Sequence, residues 1–202
     1  DLNDLVYDVI DAADEHGCRL TFVKQNLDPE KICVLTAFDA SFAQEEHLKS
    51  QCGFVSVITS LDIVEGRELC NICEFQSSTI TRRVKSTLAA ESSALSVALD
   101  RHLFCRLLIQ AFLYGEPEDY TENWRQELKV PGIMMTDAGS LYDHLHKTGS
   151  VPEERQILID LLTARDMVEE GIVDLRWCPT THMLADIFTK TLEINPVQER
   201  LF

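Results

Sequence analysis

The stretch ICVLTAFD, residues 32–39, decides the fold of this chain, because apolar residues run almost uninterrupted up to Asp39. Such a run is typical of a strand that is buried on both faces of a sheet. Residues 53–59, GFVSVIT, are rich in β-formers and partly alternate, and residues 69–75, LCNICEF, alternate less regularly. Gly66 lies in the turn between them. Three successive strands of this kind predict an antiparallel meander.

The hydrophobic period changes after the meander. Ser86 or Thr87 can cap a long helix that runs to about Tyr114 and is stopped by Gly115 and Pro117. We then expect a strand, a short helix, a second long helix with Pro152 in its first turn, a strand and a last helix, at residues 132–136, 141–147, 153–170, 172–178 and 180–192. This order predicts an α/β fold with one five-stranded mixed sheet and helices on both faces, preceded by a helix within residues 4–16.

Composition limits the class of protein. The chain has 202 residues, 45% of them hydrophobic, enough for one domain with a sizeable core or one domain plus a short preceding segment. We expect no membrane span, because no run reaches about 18 apolar residues. The acidic N-terminus does not resemble a secretory signal, and the start at Asp1 suggests a piece of a longer protein.

Charge and cysteine usage add two expectations. The net charge of −16 is unusual for a protein that binds nucleic acid, and Arg82, Arg83 and Lys85 form its densest basic cluster. The odd number of seven cysteines, without a signal peptide, indicates reduced thiols in the cytosol or nucleus. Cys70 and Cys73 form one CxxC pair without a second pair at zinc spacing, so we interpret the cysteines as small buried hydrophobes.

Four carboxylates are candidates for a site. Asp39 and Asp137 each follow an apolar strand, Glu91 lies in the first turn of the long helix, and Asp186 lies in the last helix. If they converge, their repulsion requires cations or raised pKa values, and hard oxygen ligands suit Mg²⁺ or Mn²⁺. Two ions roughly 4 Å apart could clamp a phosphodiester. Taken singly, each acid could instead start a turn, cap a helix or face solvent.

Ordered segments carry a resemblance to a known family: FDASFA at 38–43, SQCGF at 50–54, RRVKSTLAAE at 82–91, TDAGSL at 136–141, and GIVDLRWCPT at 171–180 followed by LADIFTK at 184–190. Together, from about Asp4 to Leu192, they resemble the ribonuclease H domain of copia-type retrotransposon polyproteins. The closing segment is the most specific. The resemblance implies a tether or connection segment at residues 1–30 and a ribonuclease H-like domain at residues 31–202.

The resemblance also implies an activity: endonucleolytic hydrolysis of the RNA strand of RNA·DNA hybrids during reverse transcription, with two Mg²⁺ or Mn²⁺ ions. It assigns Asp39, Glu91, Asp137 and Asp186 as catalytic metal ligands, with Asp39 bridging the ions. Arg82, Arg83 and Lys85 become candidates for phosphate contacts, with a solvated turn as the other interpretation. The reverse transcriptase domain of the same polyprotein is the expected protein partner. The expected location is the cytoplasm, a virus-like particle or the nucleus, not the secretory route.

Departures from the family pattern leave alternatives open. Many copia elements carry a Lys-His pair where this chain has residues 155–160 without a histidine, and His182, His144 and His146 are interpreted as surface residues. A non-catalytic remnant of the same fold, acting as an interaction module, is the main alternative. A transposase or integrase would not explain the LADIFTK ending, and a plain acidic protein-binding domain would leave the acids at the strand ends as a coincidence. No Tyr-x-Asp-Asp polymerase motif occurs.

Overall fold

One five-stranded sheet organises the protein in the computed structural model, which describes residues 22–25, 27–42, 49–115, 124–125, 127–147 and 154–190. The strand order is β3-β2-β1-β4-β5; β1, β2 and β3 are antiparallel, and β4 and β5 run parallel to β1. This arrangement confirms the predicted fold class, a five-stranded mixed sheet with helices. The strands are β1 Ile32–Ser41, β2 Gln51–Ser60, β3 Asn71–Thr79, β4 Gly132–Thr136 and β5 Asp174–Trp177.

The central strand is β1, which pairs with β2 on one side and β4 on the other. Nine of its ten residues are buried, as the continuous apolar run predicts. Asp39 does not follow the strand, as predicted, but lies inside it, because pairing with β2 continues through Asp39↔Gly53 to Ser41↔Gln51. The two additional ladder pairs therefore fix the Asp39 backbone more firmly than a loop would.

The long helix α1, Thr87–Tyr114, agrees with its predicted limits. Ser86 caps it, since its Oγ accepts a hydrogen bond from the Ala89 N–H at 3.1 Å, and Gly115 ends it with a φ of 86°. The residues facing the sheet are mostly small or aliphatic and include Ala89, Ala90, Ala94, Leu95, Ala98, Leu99 and Leu103. Glu91 lies in the second turn rather than the first and is buried with them.

Helices α2, Gly139–His146, and α3, Leu158–Glu169, bury Leu141, Leu145 and Leu161 in the same cluster as α1. The predicted start of the second long helix at residue 153 is wrong for the described residues, because 3-10 geometry at Arg155–Ile157 precedes α3. No side-chain cap is present at Glu154 or Ile157. The three described α-helices thus share one side of the sheet.

The opposite side of the sheet is covered by two short 3-10 helices, Thr180–His182 and Leu184–Phe188. Met183 and Ala185 are fully buried there against β1 and β2. A continuous last helix through residue 192 was predicted, and it is wrong for residues 180–190. The backbone closes i→i+3 bonds, from His182 N–H to Pro179 C=O and from Thr189 N–H to Asp186 C=O, so these turns have 3-10 rather than α-helical geometry.

Several predictions lie outside the described residues: the helix within 4–16, most of the tether at 1–30, and residues 191 and 192 of the last helix. The domain limits therefore stay predictions. All six cysteines in the described part of the chain are free thiols. Within that part, no helix has the length and apolar character that a membrane crossing requires.

Candidate metal centre

Three of the four predicted acids meet in space. Asp39, Asp137 and Asp186 each offer one carboxylate oxygen, and these three oxygens lie within 4.8 Å of one another. Asp39 and Asp186 are 2% and 4% exposed, whereas Asp137 is half-buried. Side chains that are distant along the chain thus form one acidic cluster at the sheet.

The parallel register of β1 and β4 places the first two acids side by side. The last pair of that ladder is Ala37↔Met135, and Asp39 and Asp137 each stand two residues beyond it. Because side chains alternate along a strand, Asp39 shares a face with Ala37, which packs in the cluster that contains Ala185. The turn after β4 is held by the Trp177 Nε1–H, which donates to the Asp137 C=O at 3.0 Å.

The third acid, Asp186, reaches the cluster because the C-terminal segment approaches β2 unusually closely. A Cβ at Gly53, opposite Asp39 in the ladder, would lie 2.5 Å from Phe188 Cβ and 3.0 Å from Thr189 Cγ2. Glycine is therefore required at this position for its lack of a side chain. The same approach lets the Thr189 hydroxyl donate a short hydrogen bond to Asp39 Oδ2.

Glu91 is a fourth acid and is buried, and it lies close enough to Asp39 and Asp137 to interact with their charges. It is 4% exposed, and its Oε2 has no hydrogen-bond partner among the described residues. Burial, together with the negative charges of Asp39 and Asp137, raises the pKa of Glu91 to about 9, although Lys190 and the Ala40 backbone oppose the shift. Its carboxylate is not one of the three within 4.8 Å, but it belongs electrostatically to the same site.

Burial also dominates at Asp39 and raises its pKa to about 6. The hydrogen bond from Thr189 and the charge of Lys190 lower this pKa, while Asp137 and Asp186 raise it. Several carboxylates in one partly buried place repel one another, so the ionised cluster requires positive charge nearby. Such a cluster of hard oxygen atoms is suited to divalent cations.

Thr189 and Lys190 are site residues that the sequence analysis did not single out. The Lys190 Nζ lies 2.5 Å from Asp186 Oδ1 and 3.4 Å from Asp39 Oδ2. Burial alone would lower the pKa of Lys190, but its hydrogen bond to Asp186 and the charge of Asp39 raise it above the usual value. The sequence signal for these two residues was their spacing: they follow Asp186 by three and four positions, the spacing at which side chains on a helix are neighbours.

The predicted phosphate-binding residues lie before α1 and are all exposed. Arg82 is engaged within the protein, since its Nη2 lies 2.6 Å from Asp160 Oδ2 on α3 and 2.9 Å from Ser93 Oγ on α1. Arg82 therefore fastens α3 to the start of α1. The phosphate-binding roles of Arg82, Arg83 and Lys85 stay predictions.

Of the three histidines that were interpreted as surface residues, His182 and His146 are exposed and His144 is half-buried. His182 is exposed, and its Nδ1 is 3.1 Å from Thr181 Oγ1. His146 is exposed and stacks on Tyr142 with ring centroids 4.0 Å apart. Tyr142 and His146 line an open groove together with Trp177, whose indole is 51% exposed. This aromatic surface, which no sequence pattern indicated, adjoins Asp137 through Trp177.

Comparison with known proteins finds similarity to solved structures of ribonuclease H proteins and of a viral protease–reverse transcriptase. The N-terminal ribonuclease H domain of a Mycobacterium tuberculosis protein is 12% identical, covering 84% of this chain and 96% of that chain, with a TM-score of 0.49. LC11 ribonuclease H1, in complex with an RNA/DNA hybrid, is 17% identical, covering 79% and 94%, with a TM-score of 0.48. The foamy viral protease–reverse transcriptase, in complex with an RNA/DNA hybrid, is 12% identical, covering 80% of this chain and 19% of that chain, with a TM-score of 0.46.

No family model and no curated protein matches this chain. Two of these three structures are ribonuclease H proteins, and the third is a protease–reverse transcriptase. Because their TM-scores are below 0.5, any function for this chain has to rest on its own carboxylates.

Proposed function

We propose that this chain is a ribonuclease H-type endoribonuclease that hydrolyses the RNA strand of RNA·DNA hybrids with divalent metal ions. The observation that carries the proposal is the meeting of Asp39, Asp137 and Asp186, whose carboxylate oxygens lie within 4.8 Å of one another. The order of the motifs around them, and the LADIFTK ending above all, supports a source in a copia-type retrotransposon polyprotein.

The residues present fit Mg²⁺ or Mn²⁺. The donors are hard carboxylate oxygens, which these ions prefer, and no cysteine or histidine belongs to the described cluster. The unpartnered buried oxygen of Glu91 supplies a further ligand that the protein itself leaves unsatisfied. Asp39, Glu91, Asp137 and Asp186 would hold two ions. When bound, the ions would generate the attacking hydroxide and stabilise the leaving oxygen.

The chain's own residues orient this site. Thr189 donates to Asp39 Oδ2 and so fixes the rotation of that carboxylate. The Trp177 indole holds the Asp137 backbone, while Met183 and Ala185 anchor the segment that carries Asp186. Rigid support of this kind keeps ligands in a reactive geometry before substrate arrives.

Binding of the hybrid requires positive charge near its phosphates, whereas acidic residues outnumber basic ones in this chain. Its net charge is −16, and phosphate neutralisation normally supplies much of the affinity for nucleic acid. Arg83 and Lys85 are exposed beside the start of α1, the helix that carries Glu91. We propose that these two residues contact phosphates and that a reverse transcriptase domain of the same polyprotein supplies the remaining affinity.

Cleavage of a labelled RNA·DNA hybrid, with Mg²⁺ or Mn²⁺, tests the proposal. Asp137→Asn removes one ligand charge at nearly constant volume, so we expect cleavage to fall by at least about a hundredfold without unfolding. Asp62→Asn is the matched control, because Asp62 is an exposed carboxylate paired with Lys31 outside the cluster. Circular dichroism melting of both variants checks that they fold.

Two outcomes would contradict the proposal. Equal cleavage by wild type and Asp137→Asn would remove Asp137 from the mechanism. No cleavage by the wild type, with or without an added polymerase domain, combined with no thermal shift on adding Mg²⁺, would favour the non-catalytic remnant.

A further inference from the structure

One cation already lies in the carboxylate cluster. The Lys190 ammonium contacts Asp186 Oδ1 at 2.5 Å and Asp39 Oδ2 at 3.4 Å, and its side chain is 23% exposed. Its backbone N–H also bonds to the Asp186 C=O at 2.9 Å, which places the side chain over the acids. Among ion pairs between described residues, no other lysine or arginine contacts these carboxylates.

We propose that Lys190 is a built-in counter-cation, which occupies the Asp39–Asp186 side of the cluster while no metal is bound and leaves those oxygens when a divalent ion binds. The inference rests on the proposed function, since it concerns the same metal site. An ammonium and a metal ion compete for the same carboxylate oxygens and repel each other at such distances, so a metal ion bound at Asp186 Oδ1 weakens the contact of the ammonium with that oxygen.

The two sides of the cluster are therefore unequal. On the side of Glu91 and Asp137, no lysine or arginine among the described residues forms an ion pair with either carboxylate, and Glu91 Oε2 has no hydrogen-bond partner. On the side of Asp186, a metal ion has to displace the ammonium and break a contact of 2.5 Å. We infer that the Glu91–Asp137 side fills first and that Lys190 weakens binding on the other side.

The first test is a calorimetric titration of the whole chain, prepared metal-free, with Mg²⁺ alone. Lys190→Met removes the competing charge, and we expect the weaker binding step to become about tenfold tighter. Lys190→Arg keeps a cation within reach and should bind Mg²⁺ like the wild type. Lys31→Met is the matched control, because Lys31 pairs with Asp62 outside the cluster, at 3.0 Å. The Mg²⁺ affinity of this variant should equal that of the wild type.

The second test detects the movement itself in the wild type. An amine-reactive acylating reagent, followed by mass spectrometry, measures how accessible each lysine is. We expect acylation of Lys190 to rise several-fold on adding Mg²⁺, whereas Lys147, paired with Asp143 on α2 at 2.7 Å, should react equally in both conditions. A general effect of charge on metal affinity would leave this labelling unchanged, so the two tests together isolate displacement.

Failure of this inference can be told from failure of the proposed function. Suppose that the wild type binds Mg²⁺ and cleaves the hybrid. If Lys190→Met then binds Mg²⁺ no more tightly, or if Mg²⁺ does not change the labelling of Lys190, only the counter-cation role is overturned. If Lys190→Met loses cleavage at unchanged Mg²⁺ affinity, Lys190 contacts substrate and the inference is again overturned. If no variant binds Mg²⁺, the metal site and the inference both fail.

Discussion

Gly53→Ala tests whether the close approach of the C-terminal segment to β2 builds the site. The added Cβ would lie 2.5 Å from Phe188 Cβ and 3.2 Å from the Phe188 carbonyl carbon. Reaching 3.4 Å, an ordinary contact distance, requires Phe188 Cβ to recede by 3.4 − 2.5 = 0.9 Å. Because the obstacles include backbone, rotation of a side chain cannot relieve the clash. Thr189 moves with Phe188 and loses its bond to Asp39.

The magnitudes follow from this displacement. Forced overpacking costs about 1–3 kcal/mol, partly offset by about 0.4–1 kcal/mol from the lower entropy of the unfolded chain. We therefore expect a net loss of about 1–2 kcal/mol in unfolding free energy. A misplacement of about 1 Å at a catalytic group can cost roughly a hundredfold in rate, so cleavage should fall by about ten- to a hundredfold.

Gly66→Ala is the matched control, because a Cβ there meets no atom within 4 Å. Urea denaturation measures the stability of both variants, and hybrid cleavage at saturating Mg²⁺ measures their activity. If Gly53→Ala behaved like Gly66→Ala in both assays, the argument from close approach would be refuted. If Gly53→Ala lost stability but cleaved the hybrid as fast as the wild type, Gly53 would matter for packing and not for the geometry of the site.

Two further predictions concern the pH dependence of stability and the role of Trp177, the last residue of β5. His102 is buried, with its Nδ1 2.9 Å from Thr36 Oγ1, and burial, with a smaller contribution from Arg106, lowers its pKa from 6.5 to about 3. Between those values the unfolded chain binds a proton that the folded chain does not, so unfolding free energy should fall with falling pH by up to about 1.4 kcal/mol per pH unit. Denaturant titrations from pH 7 to pH 4 should show that the unfolding free energy of His102→Gln falls less steeply than that of the wild type. Equal slopes for the two proteins would contradict this. Trp177→Phe keeps a ring but removes the donor to the Asp137 C=O, so kcat should fall about two- to tenfold at unchanged KM. A changed KM alone would show that the ring binds substrate instead.

The sequence predicted the parts of the fold in which one long pattern dominates. The limits of β4 and α1 agree with prediction because a short apolar run before Asp137, and a long periodic segment between Ser86 and Gly115, are strong local signals. The order of strands and helices along the chain followed from the same patterns. Local signals were sufficient because they agreed with the tertiary packing.

Tertiary contacts decided what the sequence could not. The length of β1 depends on ladder pairs with Cys52 and Gln51, and neither residue is a strong strand signal. The last segment adopts 3-10 turns because burial of Met183 and Ala185 against the sheet outweighs its helical pattern. The sequence offered a phosphate contact or a solvated turn for Arg82, and it could not show the ion pair with Asp160, because the two residues are 78 positions apart.

The carboxylate cluster is held together by the rest of the fold against its own repulsion. The pKa values of Asp39 and Glu91, raised to about 6 and about 9, show that their charged forms are disfavoured in this place. Local contacts do not compensate fully, since Glu91 Oε2 has no partner within the described chain. The packing of α1 on β1 and β2 must therefore supply the difference. If the site binds a divalent cation as proposed, that cation would relieve the repulsion and stabilise the folded chain, so metal binding and fold stability would be coupled through the same four acids.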